Sequence, residues 1–193
     1  MNITLLLFIY SAFTINLVLQ CGLGIRGVVE SKHPLDKYTY VKLGIMFFSV
    51  ILLWFVFSKI ISSLIPGIFI YVLLFPVSAV VYEGLEYLIF RYIIKKDEET
   101  LSFISFPGGI TALSLFICIN LADNFFEVVI LSFGFIFGIF IVNLIIREIR
   151  RRAALEAVPA FLRGKPLVIV AMGMLSLVFT TASFLLFRMI GAE

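Results

Sequence analysis

Six stretches of this chain each carry about twenty mostly apolar residues with little charge among them. Wound as a helix, a run of that length crosses the roughly 30 Å of hydrocarbon in a bilayer. The stretches fall at about 3–25, 40–62, 68–92, 101–121, 126–147 and 167–188. They occupy most of the 193 residues, so no soluble domain of useful size is left over. Only 14% of the residues are charged and 62% are apolar, against about 25% and 45–50% in soluble domains. A water-soluble enzyme, a disordered tail and a disulfide-rich secreted module are excluded. The reading is an all-α integral membrane protein, a single membrane domain over 1–193, because hydrocarbon leaves the backbone of such a chain only the helix.

The connections between stretches alternate in character. The first, third and fifth are charged, while the second (around 62–67) and fourth (around 122–124) are very short. Thirteen of the fifteen Lys and Arg lie in or beside the odd connections, leaving only Lys59 and Arg188 elsewhere. The positive-inside rule then places the odd connections in the cytoplasm and both termini outside. Lys42 and Lys59 sit near the ends of the second stretch, where their ammonium groups can snorkel. The first basic residue is Arg26, so the opening stretch lacks the basic leader of a cleaved signal and reads as a retained span. Three spans in each half, about 1–96 and 97–193, place the halves in opposite orientations. That is the arrangement of an inverted repeat.

Helix breakers mark the first and fourth spans. The first ends in Cys21-Gly22-Leu23-Gly24-Ile25-Arg26-Gly27, and the fourth holds Phe106-Pro107-Gly108-Gly109. Both helices are expected to break there. Interrupted helices at matching positions of two halves point to a site between them; packing glycines and a kink are the plainer reading.

The third span holds two acids, Glu83 and Glu86, three residues apart on one helical face. An ionised acid inside the membrane costs about 2.5–3.5 kcal/mol. The fourteen Ile, Leu, Phe and Val of residues 68–90 return roughly 4–8 kcal/mol, which two bare anions nearly offset. The acids must therefore face the bundle, pair with a base or hold protons. They read either as an ion path or as a structural pair near the cytoplasmic interface, where Glu86 lies close to Arg91. Asn16 and Asn143 are expected to bond between helices. Asp123, Asn124 and Glu127 sit at the outer edge, and the basic run at 147–152 reads as an anchor to anionic lipid.

Other chemistry is thinly represented. Two cysteines, Cys21 and Cys118, lie in apolar runs without a C-x-x-C motif, and His33 is the one histidine. An iron–sulfur cluster takes four cysteines, so this chain alone binds no such cofactor, though Cys21 and Cys118 could give one or two ligands to a shared 2Fe–2S cluster. A net charge of +3 confined to short connections gives no footprint for nucleic acid.

The final third contains Val158-Pro159-Ala160-Phe161-Leu162-Arg163-Gly164, then Ala171-Met172-Gly173-Met174-Leu175-Ser176-Leu177-Val178-Phe179. This stretch resembles the Rnf/Nqr membrane-subunit family. Ile146-Arg147-Glu148, Asn124-Phe125 with Gly134, the run from Ala79 to Glu86, and Phe8 through Gly24 with Asn16 extend the resemblance over nearly the whole chain. It implies six spans in two inverted halves within a bacterial inner membrane. It also implies other Rnf/Nqr-type subunits as partners, among them a related membrane subunit of opposite orientation. In the family, cysteines from the broken first and fourth spans of both subunits hold a shared 2Fe–2S cluster that relays electrons and is coupled to ion translocation. Here the two cysteine positions fall on Arg26 and Gly109, and a guanidinium cannot ligate iron. Position 83, an amide in the resemblance, is Glu83. An intramembrane pair of Arg26 with Glu83 or Glu86, in place of the cluster, is the expectation that joins these departures. The function implied is a non-catalytic subunit of a redox-driven ion translocase. The alternative is a free-standing or accessory inverted-repeat transporter or scaffold that has lost the relay.

Overall fold

The computed structural model describes residues 3–22, 37–61, 67–94, 107–155, 159 and 164–191. These residues are helical almost throughout. The elements are α1 (Ile3–Ile9), α2 (Lys37–Val56), α3 (Gly67–Ile89), α4 (Pro107–Leu121), α5 (Phe125–Leu155) and α6 (Lys165–Gly191). A wider π-helical turn closes each of the first three, at Tyr10–Thr14, Phe57–Ile61 and Phe90–Ile94.

Four helices are long and apolar enough to cross a bilayer, with windows at Tyr40–Lys59, Phe69–Tyr92, Phe125–Ala153 and Lys165–Leu185. The chain is a membrane-embedded helical protein on that evidence. The other two apolar helices are shorter, at Thr4–Thr14 and Gly108–Leu121. Six full spans are therefore not seen among the described residues, and the two short helices are the first and the fourth.

The first helix stops earlier than its glycines suggest. Ile15 leaves the helical region (φ −104°, ψ 58°), and its N–H bonds back to the Tyr10 carbonyl. Asn16 then spans the break. Its Nδ2 donates to the Ala12 carbonyl, and its Oδ1 accepts from the N–H groups of Val18 and Leu19, each at 3.2 Å. The expected interhelical bond of Asn16 is thus replaced by three local ones. A buried amide can serve backbone groups on both sides of a break, which hydrocarbon would leave unmet. Little depth is gained afterwards. Phe13 rests on Phe179 of α6, and Gln20 reaches the neighbouring Thr180 at 2.7 Å. In the fourth segment Pro107 opens α4, a favoured place for a residue without an N–H. Gly108 lies against Ala79 of α3, where an added Cβ would sit 3.3 Å from the Ala79 Cα. The part of the expected fourth span before Pro107 lies outside the described residues.

Residue pairs fix the helix directions. Tyr40 meets Phe140, while Phe47 and Phe133 line the other end of one shared cavity, so α2 and α5 run antiparallel. Tyr71 meets Phe116 and Ala79 meets Gly108, so α3 and α4 do the same. Phe8 touches Phe133 and Phe137, while Ala12 and Asn16 approach Gly138; α1 and α5 are parallel. Twice as large a share of the α2 and α5 windows is buried (44%) as of α3 and α6 (22%). The α2–α5 pair is therefore the centre. On it, α1 packs against α5 and α6, and α4 packs against α2 and α3. The fully buried core includes Leu17, Met46, Leu53, Phe57, Leu115, Leu131, Phe135 and Ile139.

Helix α5 runs beyond its expected end, through the basic run to Leu155. Glu148 pairs with Arg152 at 3.1 Å and with Arg151 at 4.0 Å along its surface. Pairs at this spacing add a few tenths of a kcal/mol to an exposed helix. At the other end, Glu127 accepts from the N–H of Asp123 at 2.8 Å and of Asn124 at 3.4 Å. Asn124 in turn receives the N–H of Glu127 on its carbonyl. This reciprocal cap starts α5 after a three-residue turn.

Two glycines seat α1 on α5. A Cβ at Gly134 would overlap the Ser11 hydroxyl, and one at Gly138 would lie 2.5 Å from the Ala12 carbonyl oxygen. Small residues let transmembrane backbones approach this closely. Gly138→Ala drives a methyl into backbone that cannot turn aside, and should cost about 1–3 kcal/mol. Gly173→Ala meets nothing within 4 Å and should leave stability unchanged. Thermal unfolding of both variants in mild detergent checks the contrast.

Candidate functional site

The two acids of α3 are separated by the edge of the packed face. The inward stripe of α3 is Leu74, Ser78, Tyr82, Glu86 and Phe90, each buried and four residues from the next. Glu83 lies off that stripe and is exposed. Glu86 meets Lys42 of α2, with Nζ and Oε1 2.5 Å apart and both side chains nearly nine-tenths covered. The Phe90 ring lies 5.6 Å from the Lys42 ammonium. One turn the other way is Tyr82, fully buried. Its hydroxyl has no hydrogen-bond partner among the described residues.

Depth decides what this cluster can do. Glu86 lies six residues before Tyr92, where the apolar window of α3 closes, and Lys42 two residues after Tyr40, where that of α2 opens. At 1.5 Å per residue Lys42 lies about 3 Å and Glu86 about 9 Å inside the ends of these windows. Dry surroundings strengthen the attraction of the charges and also raise the penalty for losing either one. The pair joins α2 to α3 at the end where the charged connections leave. It is also a carboxylate and an amine at hydrogen-bond distance, the arrangement needed to hold or pass a proton.

Other sequence candidates fall elsewhere. Arg26 and His33 lie outside the described residues, so the expected partner of the acids is not among them. Arg91 does not meet Glu86; it donates to the Tyr87 hydroxyl, with the ring 5.4 Å away. Asn143 is half-buried on α5. Asp123, Asn124 and Glu127 form the exposed cap already described. Sequence reasoning placed Lys42 at a helix end as a snorkelling cation and missed its partner. A signal for the pairing was present. Residue 64, in the short second connection, is midway between 42 and 86, and a helical hairpin sets residues equidistant from its turn side by side.

The thiols do not form a ligand set. Cys21 is exposed beyond the break in α1, whereas Cys118 is buried, its Sγ 3.9 Å from the Ser132 hydroxyl of α5. Among the described residues no group of three or more His, Cys, Asp and Glu could hold a metal ion. The two thiols thus differ in surroundings, Cys118 enclosed between α4 and α5 and Cys21 exposed.

An apolar cavity of about 330 Å³ lies between α2 and α5, lined by Tyr40, Leu43, Gly44, Phe47, Phe133, Ile136, Phe137 and Phe140. It offers volume and aromatic surface but no acid or base. No protein-family model and no curated protein matches this chain.

Lys42→Met should destabilise the solubilised protein by about 3 kcal/mol, because it leaves Glu86 buried without its base. Lys42→Met combined with Glu86→Leu should recover most of that loss. Arg91→Gln should have little effect. Thermal unfolding of the four proteins in detergent reads the coupling directly.

Proposed function

We propose that the chain is a membrane subunit of an ion-translocating complex of the Rnf/Nqr type, building part of the transmembrane pathway while other subunits hold the redox groups. The observation that carries this reading is how the helices choose partners. Exchanging each helix with the one three places along maps the contacts of α1 with α5 and α6 onto those of α4 with α2 and α3. The α2–α3 contact maps onto α5–α6, and α2–α5 maps onto itself. The α4–α5 contact has no counterpart of similar extent among the described residues, and the α3–α4 seam is far more extensive than its counterpart between α6 and the π-helical turn that closes α1. Two inverted three-helix halves, about 1–96 and 97–193, would produce this pattern. The short helices α1 and α4 stand at matching positions in those halves, as the pointer to an internal site requires.

In this reading six membrane segments sit in a bacterial inner membrane. The termini are outside and the basic connections cytoplasmic, with a related subunit of opposite orientation alongside. No electron step is assigned to this chain, because the two cysteine positions of the resemblance fall on Arg26 and Gly109. Lys42 and Glu86 favour a second reading, a free-standing transporter in which they couple a proton to cargo. The two readings differ in what accompanies the chain.

Purification of the tagged protein from its own membranes in mild detergent, with mass spectrometry and iron analysis of the same sample, separates them. The first reading expects flavin- and iron–sulfur-bearing chains in stoichiometric amounts. It also expects the iron content to be unchanged when Cys21→Ala and Cys118→Ala are combined. Recovery of the chain alone and free of iron would overturn it and leave the transporter.

A further inference from the structure

The outward face of α3 carries a charge, Glu83, that no cation among the described residues answers. Val72 and Val80 are each 70% exposed, and Pro76, Glu83, Gly84 and Tyr87 are exposed along the same side. In a bilayer that side meets hydrocarbon. Glu83 lies nine residues inside Tyr92, the end of the apolar window, or about 13 Å. A carboxylate facing lipid at that depth is unfavourable by the same few kcal/mol that keep acids out of spans. The cations nearby are engaged. Lys42 is held by Glu86, one turn along and about 60° around the helix from Glu83. Arg91, two turns further on, is held by Tyr87. A second polar group lies on the same face, because Pro76 has no N–H to give to the Val72 carbonyl. Next to Glu83, Gly84 leaves a flat notch; a Cβ there would meet nothing within 4 Å. Small residues of this kind admit the backbone of a second helix.

We infer that the Glu83–Gly84 face of α3 docks a transmembrane helix of a different chain, one that brings a Lys or Arg to Glu83 at matching depth. A second copy does not satisfy the site. Two copies in one orientation pair about an axis along the membrane normal, which sets Glu83 against Glu83. The concentration of basic residues beside the odd connections orients every copy alike. The inference rests on the complex-forming part of the proposed function, but not on the complex being redox-driven.

The test places a photo-crosslinking benzoylphenylalanine at Val80 or Tyr87, with Leu177 of α6, 71% exposed, as the control position. Irradiation in native membranes should join Val80 and Tyr87, but not Leu177, to one membrane chain whose crosslinked segment carries a Lys or Arg. Glu83→Lys should lower the adduct at least tenfold while thermal stability in detergent stays unchanged, since Glu83 packs against nothing inside. Reversing the partner's base to Glu should restore the adduct to the Glu83→Lys protein. Adducts with lipid alone, with a second copy, or unchanged by Glu83→Lys would overturn the inference. So would loss of stability in Glu83→Lys that Arg26→Glu repairs, which would make the partner internal. A captured partner without iron-bearing chains would refute the redox reading and leave this one standing. An iron-bearing complex without these adducts would do the reverse.

Discussion

Hydrocarbon offers the backbone no hydrogen-bond partner, and the local chemistry of this chain answers to that constraint. Where α1 breaks, a single amide, Asn16, supplies both a donor and an acceptor to the freed backbone. Small polar side chains elsewhere satisfy themselves within their own helix. Ser11, Ser49, Ser78, Ser114, Thr180, Thr181 and Ser183 each donate to a carbonyl three or four residues back. None of these hydroxyls needs a neighbouring helix for that bond, so cohesion of the bundle falls to shape and to the few charges.

The charges divide the labour. Lys42 and Glu86 neutralise each other inside the bundle, close to the connections, and tie α2 to α3. Glu83, a step around the same helix, is exposed and pairs with no described cation. One acid closes the fold and the other leaves it open toward a neighbour. The interior of the α2–α5 pair contributes aromatic volume without acid or base, which suits a structural centre more than a pathway for ions.

Much of the architecture was legible in the sequence. Long apolar runs bounded by charge located α2, α3, α5 and α6 to within a few residues at most ends, because a bilayer admits so few alternatives. The ends were less legible. Helix α5 continues through its basic run, since Arg and Glu are good helix formers and Glu148 ties that turn to Arg151 and Arg152. The break in α1 came six residues before Gly22, at an asparagine, because what permits a break in lipid is a side chain able to serve the freed backbone groups and not the flexibility of glycine alone. The pair of acids at 83 and 86 was visible as a pair, but the division between buried and exposed depends on rotation of α3 within the bundle. Only the packing of Ser78, Tyr82 and Phe90 on the inward stripe fixes that rotation. Lys42 was hidden for a similar reason: its partner is distant in sequence and close only once the hairpin folds.

The seat of α1 on α5 has a mechanical consequence. With Gly134 and Gly138 filled by Ser11 and the Ala12 carbonyl, the two helices are keyed together like a tongue in a slot. Sliding α1 by one turn would carry side chains with a Cβ into the places only glycine can accept. Any rocking of one half of the bundle against the other must therefore move α1 and α5 as one body, with the slip taken up along other seams.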